Sequence, residues 1–74
     1  MARIMTGVKA HDATCLAAEQ TLVASILAAG SSQTAVNTAE IVYWRAVKSS
    51  MIANNVLPEI GSVNLVLKSL NATP

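Results

Sequence analysis

The sequence predicts an all-α protein: a helical hairpin over about residues 13–29 and 34–54, followed by a shorter helix over about residues 58–70. Three observations predict this class. Ala, Leu, Glu and Gln, all good helix formers, dominate the first segment. Apolar residues in the last segment recur at helical spacing. The segments are separated by residues that form turns or end helices, Gly30-Ser31-Ser32 and Pro58.

The first predicted helix is marked at both ends. Asp12 is expected as its N-cap, because a short acceptor side chain can bind the free backbone amides. Gly30 follows the last residue, where a left-handed conformation is commonly needed. At about 100° per residue, one broad arc is apolar: Cys15, Leu16, Leu22, Val23, Ile26 and Leu27. A second side carries only small residues, along which another helix could approach closely: Ala17, Thr21, Ala24 and Ala28.

The second predicted helix is apolar on nearly all sides, which is typical of a buried helix. One partner in a hairpin cannot cover such a helix completely. Its start has two interpretations from sequence. Ser32 is one candidate N-cap, and Asn37 with Glu40 three residues later resembles a capping box.

The third predicted helix opens with Pro58, which suits a first helical position, followed by Glu59 near the positive end of the helix dipole. Its apolar side is Val63, Val66, Leu67 and Leu70. Gly61-Ser62 leaves open whether this element is one helix or two. Residues 1–9 show no clear period, and we interpret them as a flexible arm or a frayed first turn.

Charge is scarce in this chain. Only 12% of its 74 residues are Asp, Glu, Lys or Arg, and 53% are hydrophobic, whereas soluble domains carry roughly 25% charged residues. A single domain of this length buries only about 60% of its unfolded surface, so small domains usually need a disulfide, a metal or association. Cys15 is the only cysteine, which excludes an intrachain disulfide. Association is therefore the expected source of stability.

We expect a non-enzymatic structural or interaction protein whose apolar helix faces assemble into a homo-oligomer, a larger lattice or a filament. Trp, Tyr and Arg dominate the hot spots of interfaces, and Tyr43-Trp44-Arg45 brings these types together. The candidate interface residues are Tyr43, Trp44, Arg45, Val47, Met51, Glu40 and Ala24. The partner is the chain itself or another protein.

Two alternatives remain open. A small subunit of a larger complex would share all the burial arguments. A helix-turn-helix regulator is the second alternative, with Gly30 in its turn, but the net charge of +1 and the scattered basic residues argue against nucleic acid as a partner.

The titratable residues predict no catalytic, cofactor or metal site. Cys15 is expected as a small buried hydrophobe without an activating base nearby, and Lys9, His11 and Asp12 as a polar group that caps and solubilises the helix start. Cys15 and His11 are too few ligands for tetrahedral zinc. Whether Glu19 and Glu40 are buried stays open, and neither belongs to the Glu-x-x-His pattern of di-iron bundles. We expect no small-molecule substrate.

The apolar run from Ala13 to Ala29 raises the question of a membrane segment. A span needs about 20 apolar residues, and Glu19 and Gln20 lie near the middle of this run, where a charge is costly. No membrane partner is therefore expected. A single cysteine fits a reducing compartment, so the expected location is the cytoplasm, or an intracellular or virion-type assembly.

Overall fold

The computed structural model describes residues 8–74, and within them three α-helices follow one another: α1 (Lys9–Ala29), α2 (Gln33–Ala53) and α3 (Ile60–Ser69). No strand occurs among these residues. The predicted all-α class and the helical hairpin are confirmed. The arm predicted over residues 1–9 lies outside the described residues, apart from Val8 and Lys9, and Lys9 already belongs to α1.

The start of α1 differs from the sequence prediction. The helix begins four residues earlier than predicted, and its N-cap is Val8, which makes no side-chain capping hydrogen bond. Asp12 lies inside the first turn instead, where its carboxylate interacts favourably with the positive end of the helix dipole. No residue between Lys9 and Ala13 disfavours a helix, and His11 is buried against α2. Tertiary packing therefore extends the helix past the predicted cap.

A short turn reverses the chain between α1 and α2. Gly30 has φ +61° and ψ −121°, a combination open to glycine and strained for other residues. Ser32 caps α2, since its hydroxyl accepts the backbone N–H of Ala35 at 3.2 Å. This bond decides between the two predicted starts: Asn37 is an interior residue of α2, where its side chain accepts from Gln33 at 2.9 Å.

The other two helices end in the same way, with an asparagine in the left-handed conformation. These residues are Asn55 (φ 58°) after α2 and Asn71 (φ 61°) after α3. The amide of the next residue then turns back onto the helix: Val56 N–H donates to the Met51 carbonyl at 2.8 Å, and the corresponding bond after α3 is 2.9 Å. This is the hydrogen-bond pattern of a Schellman motif, so the chain uses asparagine where glycine is commoner.

The third helix is one continuous element. It begins at Ile60, so Pro58 belongs to the preceding turn and Glu59 is the N-cap, which makes no side-chain capping bond. The expectation that Pro58 opens the helix is wrong by two residues. Gly61 and Ser62 lie within the helix and do not divide it, because neither residue prevents helical hydrogen bonding.

Packing is uneven among the three helices. The core consists of eight buried residues: Cys15, Leu22, Tyr43, Val47, Met51, Val56, Val63 and Leu67. Only two of them come from α1. Both α1 and α3 pack on α2, while no Cα atom of α1 lies within 8 Å of one in α3. The gap between α1 and α3 creates the pocket described below. None of the helices among residues 8–74 has the length and hydropathy that a membrane crossing requires.

Candidate functional site

Three of the seven predicted interface residues are part of the chain's own core. Tyr43, Val47 and Met51 follow one another along the inward side of α2, and all three are buried. Their spacing of four residues places them on one side of the helix, where α1 and α3 cover them. In the monomer, these side chains are between 2% and 4% exposed.

The other four predicted residues are spread over different surroundings. Trp44 is half-buried and packs its ring against that of Tyr43 in a T-shaped arrangement, with centroids 5.0 Å apart. Arg45 is exposed, and its Nη2 donates to the carbonyl oxygen of Thr73 at 3.4 Å. Glu40 is half-buried, and Ala24 is exposed. The structure therefore does not unite these residues into one patch.

A continuous exposed apolar surface does occur on α1. Its largest members are Leu16, Val23 and Leu27, with exposed fractions of 47%, 58% and 77%. At helical spacing, these three share one side with exposed small or neutral residues. We call this surface the outer face of α1, and it consists of Ala13, Leu16, Gln20, Val23, Ala24 and Leu27. Between Ala13 and Leu27 this side contains no charged residue, and Lys9 is exposed on the same side one turn earlier.

A second feature is a polar cluster inside the protein. His11 is only 1% exposed, so the expectation of a solvated, capping histidine is wrong. Its Nδ1 lies 2.8 Å from the Ser50 Oγ on α2. Asn54 donates from Nδ2 to the same hydroxyl at 3.2 Å and to the Ser50 carbonyl at 2.9 Å. Hydrogen bonding offsets the cost of removing the imidazole from water.

The same histidine contacts the only cysteine. Cys15 Sγ lies 3.4 Å from His11 Nε2 and 3.9 Å from Nδ1. Residues four apart on a helix share a side, so α1 itself sets this contact. The expectation that Cys15 has no base nearby is therefore wrong. The four residues of the polar cluster are His11, Cys15, Ser50 and Asn54.

The polar cluster borders a pocket of about 90 Å³ between α1 and α3. His11 and Cys15 form one wall, Val47 and Met51 of α2 form the floor, and Val63 and Val66 of α3 form the other wall; Tyr43, Trp44, Glu59 and Ser62 complete the lining. Ser62 is exposed and Glu59 is half-buried, so these two residues lie toward solvent. The pocket holds a thiol and an imidazole against mostly aliphatic walls.

The polar cluster offers two soft metal ligands at most. Among residues 8–74, no three His, Cys, Asp or Glu side chains lie where they could hold a metal ion together. Glu19 and Glu40 are both half-buried. The Ser50 hydroxyl fixes the orientation of the imidazole, and the distances from Cys15 Sγ to the two ring nitrogens place the sulfur against the face of the ring.

The sequence spacing predicts one contact of the polar cluster. His11 and Cys15 are four residues apart, which is a helical contact once α1 begins before residue 11. With the predicted start at Ala13, after an Asp12 N-cap, His11 lies outside the helix and the spacing predicts no contact. Ser50 lies 39 residues from His11, and no local pattern connects the two.

Comparison with protein-family models, curated proteins and solved structures finds no match to this chain.

Proposed function

We propose that this chain is a non-enzymatic structural or interaction protein that assembles with copies of itself, and that the outer face of α1 packs against the same face of a second copy. The observation that carries the proposal is the exposure of Leu16, Val23 and Leu27 on a helix whose opposite side is already buried in the monomer. Large aliphatic side chains exposed next to one another are typical of a protein–protein contact surface.

The composition of the outer face favours a second copy as the occupant. In a two-fold symmetric contact the same face of both copies meets, with residue i against residue j of the partner and j against i, so a face with charge of one sign would meet like charge. Between Ala13 and Leu27, the outer face of α1 has no charge. Its small residues, Ala13 and Ala24, leave room for two helices to approach, and Gln20 is its only polar side chain.

The size of the outer face of α1 limits the expected affinity of self-association. A helix of 21 residues is roughly 32 Å long and 10 Å wide, which is a small contact beside the roughly 800 Å² per partner of a standard interface. A dimer formed by α1 alone should therefore be weak and concentration-dependent. Further exposed apolar residues, Val42, Ile52 and Leu57, offer contacts to additional copies in a larger assembly.

The helix-turn-helix alternative has less support. Its two helices cross at about 90–120°, whereas here the start of α1 bonds to the end of α2 through His11 and Ser50. Helices paired in this antiparallel way leave no separate recognition helix to enter a groove. A subunit of a mixed complex would use the same outer face with a different partner.

The test is the molar mass in solution, measured by light scattering over a dilution series. The wild-type mass should rise above 7.7 kDa with concentration. Leu27→Glu should keep the chain monomeric, because association would then bury a carboxylate in an apolar contact. Leu65→Glu is the matched control, since Leu65 is 69% exposed on α3; this variant should retain most of the wild-type association. Circular dichroism should show equal helix content in all three proteins.

Two results would count against the proposal. A wild-type chain that stays at the monomer mass throughout refutes self-association and favours a different protein as the partner. Loss of association in Leu65→Glu, with Leu27→Glu unaffected, would move the contact from α1 to α3.

A further inference from the structure

A second and larger groove lies between α1 and α2, on the side of the hairpin away from α3. Its volume is about 370 Å³, and none of the described residues that line it belongs to α3. At helical spacing, Val42 and Ala46 lie on one side of Tyr43, whereas Trp44 and Val47, which face the pocket next to α3, lie on the other. We call this feature the hairpin groove, and its walls include Ala18, Thr21, Ser25, Thr38, Ala39 and Val42.

The walls of the hairpin groove are small and uncharged. Among the described residues that line it, none carries a charge. Val42 is the largest exposed side chain of the walls, with an exposed fraction of 59%. No long side chain therefore holds a neighbouring helix at a distance, and a charged partner finds no opposite charge in the groove.

The threonines of the groove are already prepared for burial. The hydroxyl of Thr21 donates to the carbonyl oxygen of Ala17 at 3.2 Å, and that of Thr38 donates to the carbonyl oxygen of Thr34 at 3.0 Å. Both threonines are exposed, yet their donors have partners within their own helices. A protein surface that covers them leaves no donor unpaired, so the cost of removing these hydroxyls from water is small.

The area of this side supplies what the outer face of α1 lacks. The outer face measures roughly 300 Å², against the roughly 800 Å² per partner of a standard interface. The grooved side of the hairpin is two helices wide, roughly 32 Å by 20 Å, and offers roughly 600 Å². A copy that makes both contacts would bury roughly 900 Å², which meets the requirement of a stable assembly.

We propose that the hairpin groove is a second contact between copies of this chain, in which Val42 of each copy enters the groove of the other. In a two-fold contact, Val42 would meet the small walls of the partner and the reverse. The proposal rests on self-association through the outer face of α1. Side chains as small as these bury little apolar surface, so the groove holds copies together once an outer-face dimer presents two grooves at high effective concentration.

The test is the molar mass by light scattering, at concentrations that carry the wild-type chain above the mass of two copies. Val42→Glu should stop the assembly at two copies, because the contact would bury a carboxylate. Thr38→Trp should do the same without any charge, because the indole fills the groove and Thr38 is exposed. Leu65→Glu is the control for added charge and should keep the wild-type mass. Circular dichroism should show equal helix content in all four proteins.

The outcomes separate the two contacts. A wild-type chain that stops at two copies, or Val42→Glu and Thr38→Trp with wild-type mass, overturns the groove contact and leaves the outer-face contact standing. Association that survives in Leu27→Glu but disappears in Val42→Glu supports the groove and overturns the outer-face contact. A single-copy mass at every concentration overturns both and leaves a different protein as the occupant of these surfaces.

Discussion

The first and third helices bury different kinds of residue. α3 turns Val63 and Leu67 inward, as its apolar periodicity predicts. α1 turns a histidine and a cysteine inward together with Leu22, while it exposes Leu16, Val23 and Leu27. Although α1 is long and rich in large aliphatic residues, it therefore contributes few of them to the core.

Polar residues on the far side explain the difference. In α3, Ser62, Lys68 and Ser69 are all exposed, and they leave one apolar side to face the core. In α1, the only charged residue between Ala13 and Ala29 is Glu19, so no charged side marks the direction of solvent. In these two helices, the placement of polar residues therefore determines the orientation more than the amount of apolar surface does.

The largest expected effect is on the buried side of α3. Leu67→Ala should lower the free energy of unfolding by about 4 kcal/mol, because Leu67 is fully buried and its truncation leaves a cavity. Leu65→Ala, on the exposed side of the same helix, should change it by less than about 0.5 kcal/mol. Urea denaturation measures both; similar losses at the two positions would contradict the orientation of α3.

The same comparison can be made within α1. Leu22→Ala should cost about 3 kcal/mol, since Leu22 is buried. Leu27→Ala should cost less than about 0.5 kcal/mol of unfolding free energy at concentrations where the chain is monomeric. Urea denaturation at low and high protein concentration distinguishes monomer stability from association. A large loss for Leu27→Ala in the monomer would mean that the outer face of α1 is packed within the chain.

A smaller effect should come from the polar cluster that α1 turns inward. Ser50→Ala removes the partner of His11 Nδ1 and should cost about 2 kcal/mol, because a buried donor or acceptor loses its hydrogen bond. Ser49→Ala is the matched control: Ser49 is the exposed neighbour on the same helix, and its change should be within about 0.5 kcal/mol. Equal effects in thermal denaturation would show that the Ser50 bond contributes no stability.

Local chemistry predicted most of the fold. The helix class, the turn at Gly30 and the end of α1 follow from propensity and from residues that end helices. The starts of α1 and α3 were predicted incorrectly, because a tertiary contact or a competing cap determines where these two helices begin. His11 packs against α2 and draws the start of α1 past Asp12, while Pro58 stays in the turn that Asn55 begins.

The candidate sites were less predictable than the fold. Tyr43, Val47 and Met51 have the composition of an interface but fill the core of the monomer, since nothing in α2 alone shows which side α1 and α3 cover. The His11–Cys15 contact is local, and the correct helix start would have predicted it. The hydrogen bond between His11 and Ser50 depends on the alignment of α1 against α2 in the hairpin. Sequence periodicity does not define this alignment.

The isolation of α3 from α1 has a consequence for hydrogen exchange. Among the helices of residues 8–74, α3 packs only on α2. Its separation breaks this one short contact, whereas opening the hairpin breaks the longer contact between α1 and α2. Elements with fewer tertiary contacts open at lower free energy. The backbone amides of α3 should therefore exchange with deuterium before those of the hairpin. Each such opening would uncover the thiol and the imidazole while the rest of the chain stays folded.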